Sequence, residues 1–405
     1  MNRKSIGEKG SKMEKKRRKR KKKNLLLRSL ILSTFILLLV TVALGCYYFT
    51  SVAPKEQPKD VVRTDELQTE ETSEIDLVEE TEDVPEEIEI TISATGDMTL
   101  GNHQKYYYEG SFDNYYDLYG VDYFMQNVKP IFEADDFTIV NVEGVLSDST
   151  NIRTTKEWNL KGKPEYANIL SGASVEWATL GNNHIMDYQE DGVQDTFDNL
   201  TNVGIGYAIS TDWGNHYEIY ETEKGIKIGV ISVNPLYEGE RSYAYLEQGY
   251  QDLRAEGADI MIAAMHWGIE RENINNDEQE VMGHWCIDYG YDLVLGCHPH
   301  VIQGIECYNG KYIVYSMGNF CFGGNRNPQD KDTFIFQQTF HFVDGEMQEE
   351  TSARAIPCRI STATDHNDYC PVILEGSEAE EMISHLNQYS EKYGISFDAE
   401  GYEIK

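Results

Sequence analysis

"LVLGCHPHVIQG", residues 293–304, decides the fold class of this 405-residue chain. Leu293 to Leu295 form a short apolar run of the kind that fills a buried strand, and Gly296 closes it. His298 and His300 follow with Pro299 between them, so two imidazoles stand at the carboxyl end of a strand on a stiffened backbone. The same grammar recurs along the chain. "EIEITISATGD" (87–97) alternates at period two and ends in Gly96-Asp97, while "DFTIVNVE" (136–143) ends in Asn141-Val142-Glu143. "EWATLG" (176–181) runs into Asn182, Asn183 and His184, and "ADIMIAAM" (258–265) into His266-Trp267-Gly268. "IKIGVISV" (226–233) and "KYIVYS" (311–316) are further strand candidates, and "DTFIFQQTFHF" (332–342) alternates as a later antiparallel strand.

Helical spacing fills the intervals. Val193, Phe197 and Leu200 fall at i, i+4, i+7 before Gly204. Val281, Met282, Trp285 and Tyr289 precede Gly290; Val121, Phe124, Val128 and Ile131 suggest a third helix. Residues 378–393 predict a terminal amphipathic helix through Ala379, Met382, Leu386, Tyr389 and Tyr393. The β-α alternation with long apolar strands predicts an α/β domain with buried sheets.

The net charge of -34 hides an asymmetry. Residues 1–28 carry 14 of the 35 Lys and Arg against two acids, leaving 21 basic and 67 acidic residues in the remainder. The 21 residues 29–49 hold no charge, enough at about 1.5 Å per residue to cross a bilayer core of roughly 30 Å. The basic segment before them places the N-terminus in the cytoplasm and the rest outside, as a single-pass cell-membrane protein. Residues 50–89 read as an acidic tether: positions 54–89 contain 15 Asp and Glu, three Pro and no aromatic residue. The basic segment lacks interleaved aromatics, which argues for anionic lipid and against nucleic acid. Seven cysteines include no C-x-x-C pair, so a zinc ribbon is not expected.

Ligand sites in α/β sheets gather at the carboxyl ends of strands. Asp97, Glu143, Asn183, His184, His266, His298 and His300 would converge there, from strands spread over two hundred residues. Two carboxylates, an amide and four imidazoles suit one or two divalent transition ions, Mn, Zn or Fe, better than Ca, which prefers oxygen alone. Two such ions about 3.5–4 Å apart need ligands arriving from several directions. An extended His-x-His would project both rings from one face, one toward each ion.

The order Gly-Asp, Asn-x-Glu, Gly-Asn-Asn-His, His-Trp-Gly, Gly-x-His-Pro-His and "YSMGNF" (315–320) resembles the capsule-synthesis protein CapA family, associated with poly-γ-glutamate capsule synthesis or export. The resemblance implies a metallophosphoesterase-like layered β-sandwich flanked by helices over residues 90–345, with 346–405 as a C-terminal extension. It implies that Asp97 is the first-strand metal acid and Glu143 the bridging acid. Asn183 would be the amide ligand and His184 the general acid or phosphate binder. His266, His298 and His300 would complete the metal set. Asn182, Trp267, Glu270, Ser316 and Asn319 would support these residues or line the cleft. Three positions depart from the pattern: Thr99 replaces a second ligand histidine, with His103 four residues on, Glu143 stands for an Asp, and Cys297 stands for a histidine. The implied partners are the membrane, an anionic envelope or capsule polymer and other capsule-synthesis membrane proteins. Two functions compete, a metal-dependent hydrolase of phosphate or amide bonds and an assembly or export factor that keeps the fold without the chemistry.

Overall fold

The computed structural model describes residues 85–103 and 108–404. The basic segment, the apolar span 29–49 and nearly all of the tether lie outside the described residues. Within the described residues no helix is long and apolar enough to cross a membrane.

The first sheet opens with β1 (Glu87–Thr99). There follow β2 (Asn102–His103), β3 (Phe137–Val142), β4 (Val145–Leu146), β5 (Leu160–Gly162), β6 (Trp177–Thr179), β7 (Gly206–Thr211) and β8 (Gly214–His216). Strands β1, β3, β6 and β7 lie side by side and parallel, while β2, β5 and β4 form a small separate sheet. The chain then builds a second sheet from β9 (Ile219–Glu221), β10 (Lys227–Val233), β11 (Ile260–His266), β12 (Leu293–Cys297), β13 (Ile305–Tyr308) and β14 (Lys311–Val314). Its centre, β10-β11-β12-β14, is again parallel. The chain returns to the first sheet as β15 (Asn319–Phe322), parallel to β1, and β16 (Asp332–Val343), antiparallel to it. Strands β17 (Glu346–Arg359) and β18 (Val372–Ile373) extend that edge.

Alternation along these strands makes the layers. Ile90, Ile92, Phe137 and Trp177 of the first sheet pack against Ile228, Val230, Ile260, Ile262, Leu293 and Leu295 of the second in one apolar cluster, so the sheets stack face to face. Each such side chain contributes roughly 1.5–3 kcal/mol by leaving water. The outer face of the second sheet is covered by helices α1 (Arg241–Ala255) and α2 (Asp277–Tyr289), through Leu246, Leu253, Met282, Cys286 and Ile287. The α2 helix starts with a full capping box between Asn276 and Gln279 and ends at Gly290, whose φ of 125° suits glycine. Helices cover the first sheet as well, including Gln189–Asn202, which buries Val193 and Leu200. The result is a mixed α/β fold of two stacked sheets between helical layers.

Three sequence expectations need correction. Val121 to Ile131 is not one helix but a 3-10 turn (Val121–Tyr123) and a short helix (Lys129–Phe132), in which Pro130 stands in the first turn, where it is tolerated. Of the stripe expected on α2, Val281 alone points to solvent; Met282 is buried together with Cys286 and Ile287, and Trp285 and Tyr289 pack half-buried against them. The His-x-His segment is not extended: β12 stops at Cys297, and His298 and His300 have φ of 100° and 58°. Positive φ in non-glycine residues stores strain that the surroundings must hold.

Candidate metal centre

The carboxyl ends of the parallel strands of both sheets meet at one edge of the sandwich. Asp97 on β1 pairs in register with Asn141 on β3, and Asn141 with Thr179 on β6. His266 ends β11 in register with Cys297 at the end of β12. Backbone approach is tight: a Cβ on Gly96 would stand 2.0 Å from the carbonyl oxygen of Gly318, so Gly-Asp and "YSMGNF" are two halves of one contact. The Asp97 N–H donates to that same carbonyl at 2.9 Å.

Glu143 is central. Its Oε1 lies 3.7 Å from His266 Nε2, 3.7 Å from His300 Nε2 and 3.9 Å from His184 Nε2. Glu143, His298 and His300 each offer a ligand atom, all within 4.8 Å of one another. Asp97 accepts from Asn141 Nδ2 at 2.6 Å and from the His298 N–H at 3.0 Å, and lies 3.4 Å from His300 Nδ1 and 3.9 Å from His266 Nδ1. Asn183 Oδ1 stands 3.1 Å from His266 Nε2. The six residues expected to hold metal, with His184, therefore meet in one cluster.

The cluster is polar, buried and incomplete. Neither carboxylate oxygen of Glu143 has a hydrogen-bond partner, nor do His266 Nδ1 and His298 Nδ1. Groups of this kind cost several kcal/mol when left alone in a protein interior. A divalent cation among Glu143, His298 and His300 would neutralise the carboxylate and use the ring lone pairs, so the donor set fits a metal.

The electrostatics point the same way. Burial pushes the Asp97 carboxyl up, against His300. Burial likewise raises Glu143; His300 opposes that rise and Asp97 adds to it. Burial takes His266 well below the ordinary imidazole range and His298 down to about 3, with neighbouring imidazoles adding to both shifts. The rings are thus held neutral, the form that binds a cation. His300 differs: burial lowers it, but Glu143 and Asp97 together outweigh burial and raise it.

Supporting residues sort themselves by contact. Asn319 clamps His300 twice, its Oδ1 accepting from Nδ1 at 2.9 Å and its Nδ2 donating to the His300 carbonyl at 3.0 Å. That bond puts the ring proton on Nδ1 and leaves Nε2 facing Glu143. Buried Asn182 accepts from the His184 N–H at 3.0 Å and donates to the Val142 carbonyl at 2.8 Å. Ser316 supports the loop rather than a ring, donating to the Val301 carbonyl and accepting from the Gly318 N–H. Trp267 is not in the cleft: it is buried, stacks on Tyr315 and donates to the Tyr315 carbonyl at 2.9 Å. Glu270 is exposed and acts on His300 only through its field. His103 lies 3.1 Å from the Glu157 carbonyl, with its ring against Trp158. Burial, then Asp97 and Glu143, raise the Cys297 thiol well above its usual range, so it stays protonated as packed volume.

Two contributors escaped the sequence analysis, and a third, Asn141, stood in the Asn-x-Glu motif without an assigned role. Asn141 precedes Glu143 by two residues on the same strand face, a spacing that could have revealed it. Asp187 holds His184 Nδ1 at 2.5 Å and also accepts from the Leu160 N–H at 2.6 Å. Lys156 reaches in from the loop before β5, with its Nζ 2.7 Å from the Asn183 carbonyl, 3.0 Å from His184 Nδ1 and 3.1 Å from Asp187. No periodic pattern marks that loop. Burial lowers both His184 and Lys156, with Asp187 opposing each shift.

Comparison with known proteins gives the family. Residues 91–324 match the family model described as bacterial capsule synthesis protein PGA_cap. The PGA biosynthesis protein CapA of Bacillus subtilis is 30% identical over 252 residues, 58% of this chain and 63% of the relative. The capsule biosynthesis protein CapA of Bacillus anthracis is 25% identical over 280 residues, 63% of this chain and 64% of the relative. The chain thus spans less than two thirds of the length of either. A crystal structure of a "hypothetical protein" from Thermus thermophilus aligns at 14% identity and TM-score 0.39, over 66% of this chain and 99% of that one.

Proposed function

The chain belongs to the PGA_cap family of bacterial capsule synthesis proteins, and from that premise we propose a membrane-anchored, extracytoplasmic protein of poly-γ-glutamate-type capsule synthesis or export. In this reading it has a metallophosphoesterase-like fold, binds a divalent ion (Mn, Zn or Fe) and hydrolyses a phosphate or amide bond in the polymer. One observation carries the metal and the chemistry: Glu143 is buried with both oxygens unpartnered while three imidazole nitrogens face it.

Asp97, Glu143, Asn183, His266, His298 and His300 would hold the metal. When bound, it would supply Lewis acidity toward an oxygen of the scissile group. The chain's own residues do the rest. Asp187 fixes the His184 ring from the Nδ1 side, which turns Nε2 toward Glu143 and the reacting centre. From there His184 can hold a proton for the leaving group. Lys156 steadies the Asn183 carbonyl and the Asp187 carboxylate together. One observation favours the non-catalytic assembly factor: Thr99 stands where the resemblance implies a ligand histidine, and the nearby His103 is engaged at Glu157 and Trp158.

The test uses the metal-loaded full-length protein with γ-linked glutamate polymer, phosphodiester and phosphomonoester substrates, and mass spectrometry of products. One bond class should be cleaved, and His184→Ala should stop cleavage while the metal stays. If all three resist and His184→Ala restores capsule to a deficient strain as well as wild type does, the hydrolase reading falls and the assembly factor stands. Anchoring by residues 29–49 is tested by carbonate extraction, which should leave the protein in the membrane fraction.

A further inference from the structure

The loop 147–159, between β4 and β5, carries Arg153 as well as Lys156. Its backbone is tied to the candidate centre, because the Arg153 N–H donates to the Asp187 carbonyl at 2.8 Å. The Arg153 guanidinium carbon lies 6.0 Å from the Trp213 ring centre and 5.8 Å from that of Tyr237, and the two rings meet edge to face at 5.5 Å. Trp213 follows β7 and Tyr237 follows β10, so both rings stand at the carboxyl ends of strands, on the rim that also carries Asn183 and His266. They are 37% and 43% exposed, too open for core packing to be their role.

Arg153, like Arg271, Arg326 and Arg354, has no carboxylate partner among the described residues, and it alone of these has a buried donor left unmade. Arg241, Arg254 and Arg359 pair with Asp212, Asp292 and Glu378. Among the described residues no carboxylate reaches Arg153, and its Nη1 is buried with no hydrogen-bond acceptor. An enclosed charged donor left unmade is costly. A second orphan lies on the same rim. Asn234, fully buried at the end of β10, heads the short helix that carries Tyr237, and neither of its amide atoms has a partner.

We propose that Arg153, framed by Trp213 and Tyr237, forms an oxyanion subsite beside the candidate metal centre, which seats a free carboxylate of an acidic polymer chain. The proposal rests on reading that centre as the place where polymer is processed. A planar guanidinium flanked by aromatic rings offers its N–H edge, which suits a planar carboxylate through two parallel hydrogen bonds. The domain as a whole, with 52 acids against 18 bases from residue 90 on, repels such a polymer. The unpaired guanidinium of Arg153 on this rim gives it a place to approach. Phosphate shares the oxyanion chemistry, so the test separates the two.

Titration calorimetry of the full-length protein with a defined γ-linked glutamate octamer reads the subsite directly. Arg153→Gln should weaken binding about 10- to 100-fold, the scale of a charge-assisted contact, and Arg153→Lys should restore only part of it. Lys224→Gln, whose lysine binds Asp136 at the opposite ends of the strands, should leave binding unchanged. Equal octamer affinity for wild type and Arg153→Gln would overturn the subsite. Binding of inorganic phosphate through Arg153 without binding of the octamer would overturn its carboxylate preference. Metal content measured on the same samples separates the readings. Metal present with Arg153-independent octamer binding refutes the subsite alone, and octamer bound through Arg153 yet never cleaved refutes hydrolysis alone.

Discussion

Replacing Asn319 with alanine should weaken metal binding without touching any ligand. Asn319 makes two bonds to one residue, at 2.9 Å to the His300 ring and 3.0 Å to its carbonyl. These bonds hold a ring whose backbone sits at a φ of 58°. Each is worth about 1 kcal/mol net, so their joint loss of about 2 kcal/mol corresponds to roughly 30-fold in affinity. That falls within the 10- to 100-fold range expected when a residue that orients a metal-binding histidine is lost. Competition against a chromophoric chelator, on the full-length protein, measures the constant. Urea unfolding of the metal-free variant checks that the fold survives. Asn319→Asp keeps an acceptor for Nδ1 but loses the donor to the carbonyl, so its affinity should fall between the two. A folded Asn319→Ala variant with wild-type affinity would refute the claim that His300 needs this clamp.

Asp187→Asn should lower turnover by on the order of 100-fold or more with metal content unchanged, since Asp187 orients His184 and bonds to none of the six residues expected to hold metal; a change in metal content instead would place Asp187 in the binding of the ion. Gly96→Ala should cost about 3 kcal/mol in urea unfolding, because the new methyl would meet the Gly318 backbone at 2.0 Å and neither strand can yield. Glu176 accepts from the Thr138 N–H at 2.7 Å, and burial raises its carboxyl to about 7. The folded state then binds that proton more tightly than the unfolded one, so its stabilising share is complete below about pH 4.5 and is lost as pH rises to about 7. Discounted for partial exposure, the loss is about 1 kcal/mol, and Glu176→Gln should be more stable than wild type by that amount at pH 8 but not at pH 4.5. Denaturation curves at the two pH values that differ equally would contradict this.

Much of this architecture was legible because strands buried on both faces read as continuous apolar runs. The parallel strands at 227–233, 260–266 and 293–297 are of that kind. The residue types at their carboxyl ends marked the cluster, since Asp97, Glu143, Asn183, His266 and His300 are where an α/β fold gathers ligands. What hid was of three sorts. Helix α1 packs through Ser242, Leu246, Gly249 and Leu253, and small or polar residues at half those positions leave no apolar stripe to see. The bend at His298 and His300 is set by tertiary clamps such as Asn319, not by a glycine, so local sequence announced an extended segment instead. Lys156, Arg153 and Asp187 act through loop placement, which depends on the small β2-β5-β4 sheet and carries no period.

The most direct test is anomalous diffraction from crystals of the metal-loaded protein, recorded on either side of the ion's absorption edge. The central claim predicts a peak within bonding distance of a Glu143 oxygen and of ring nitrogens of His298 and His300. A map with no peak there, or with its peak at another place on the molecule, would contradict it.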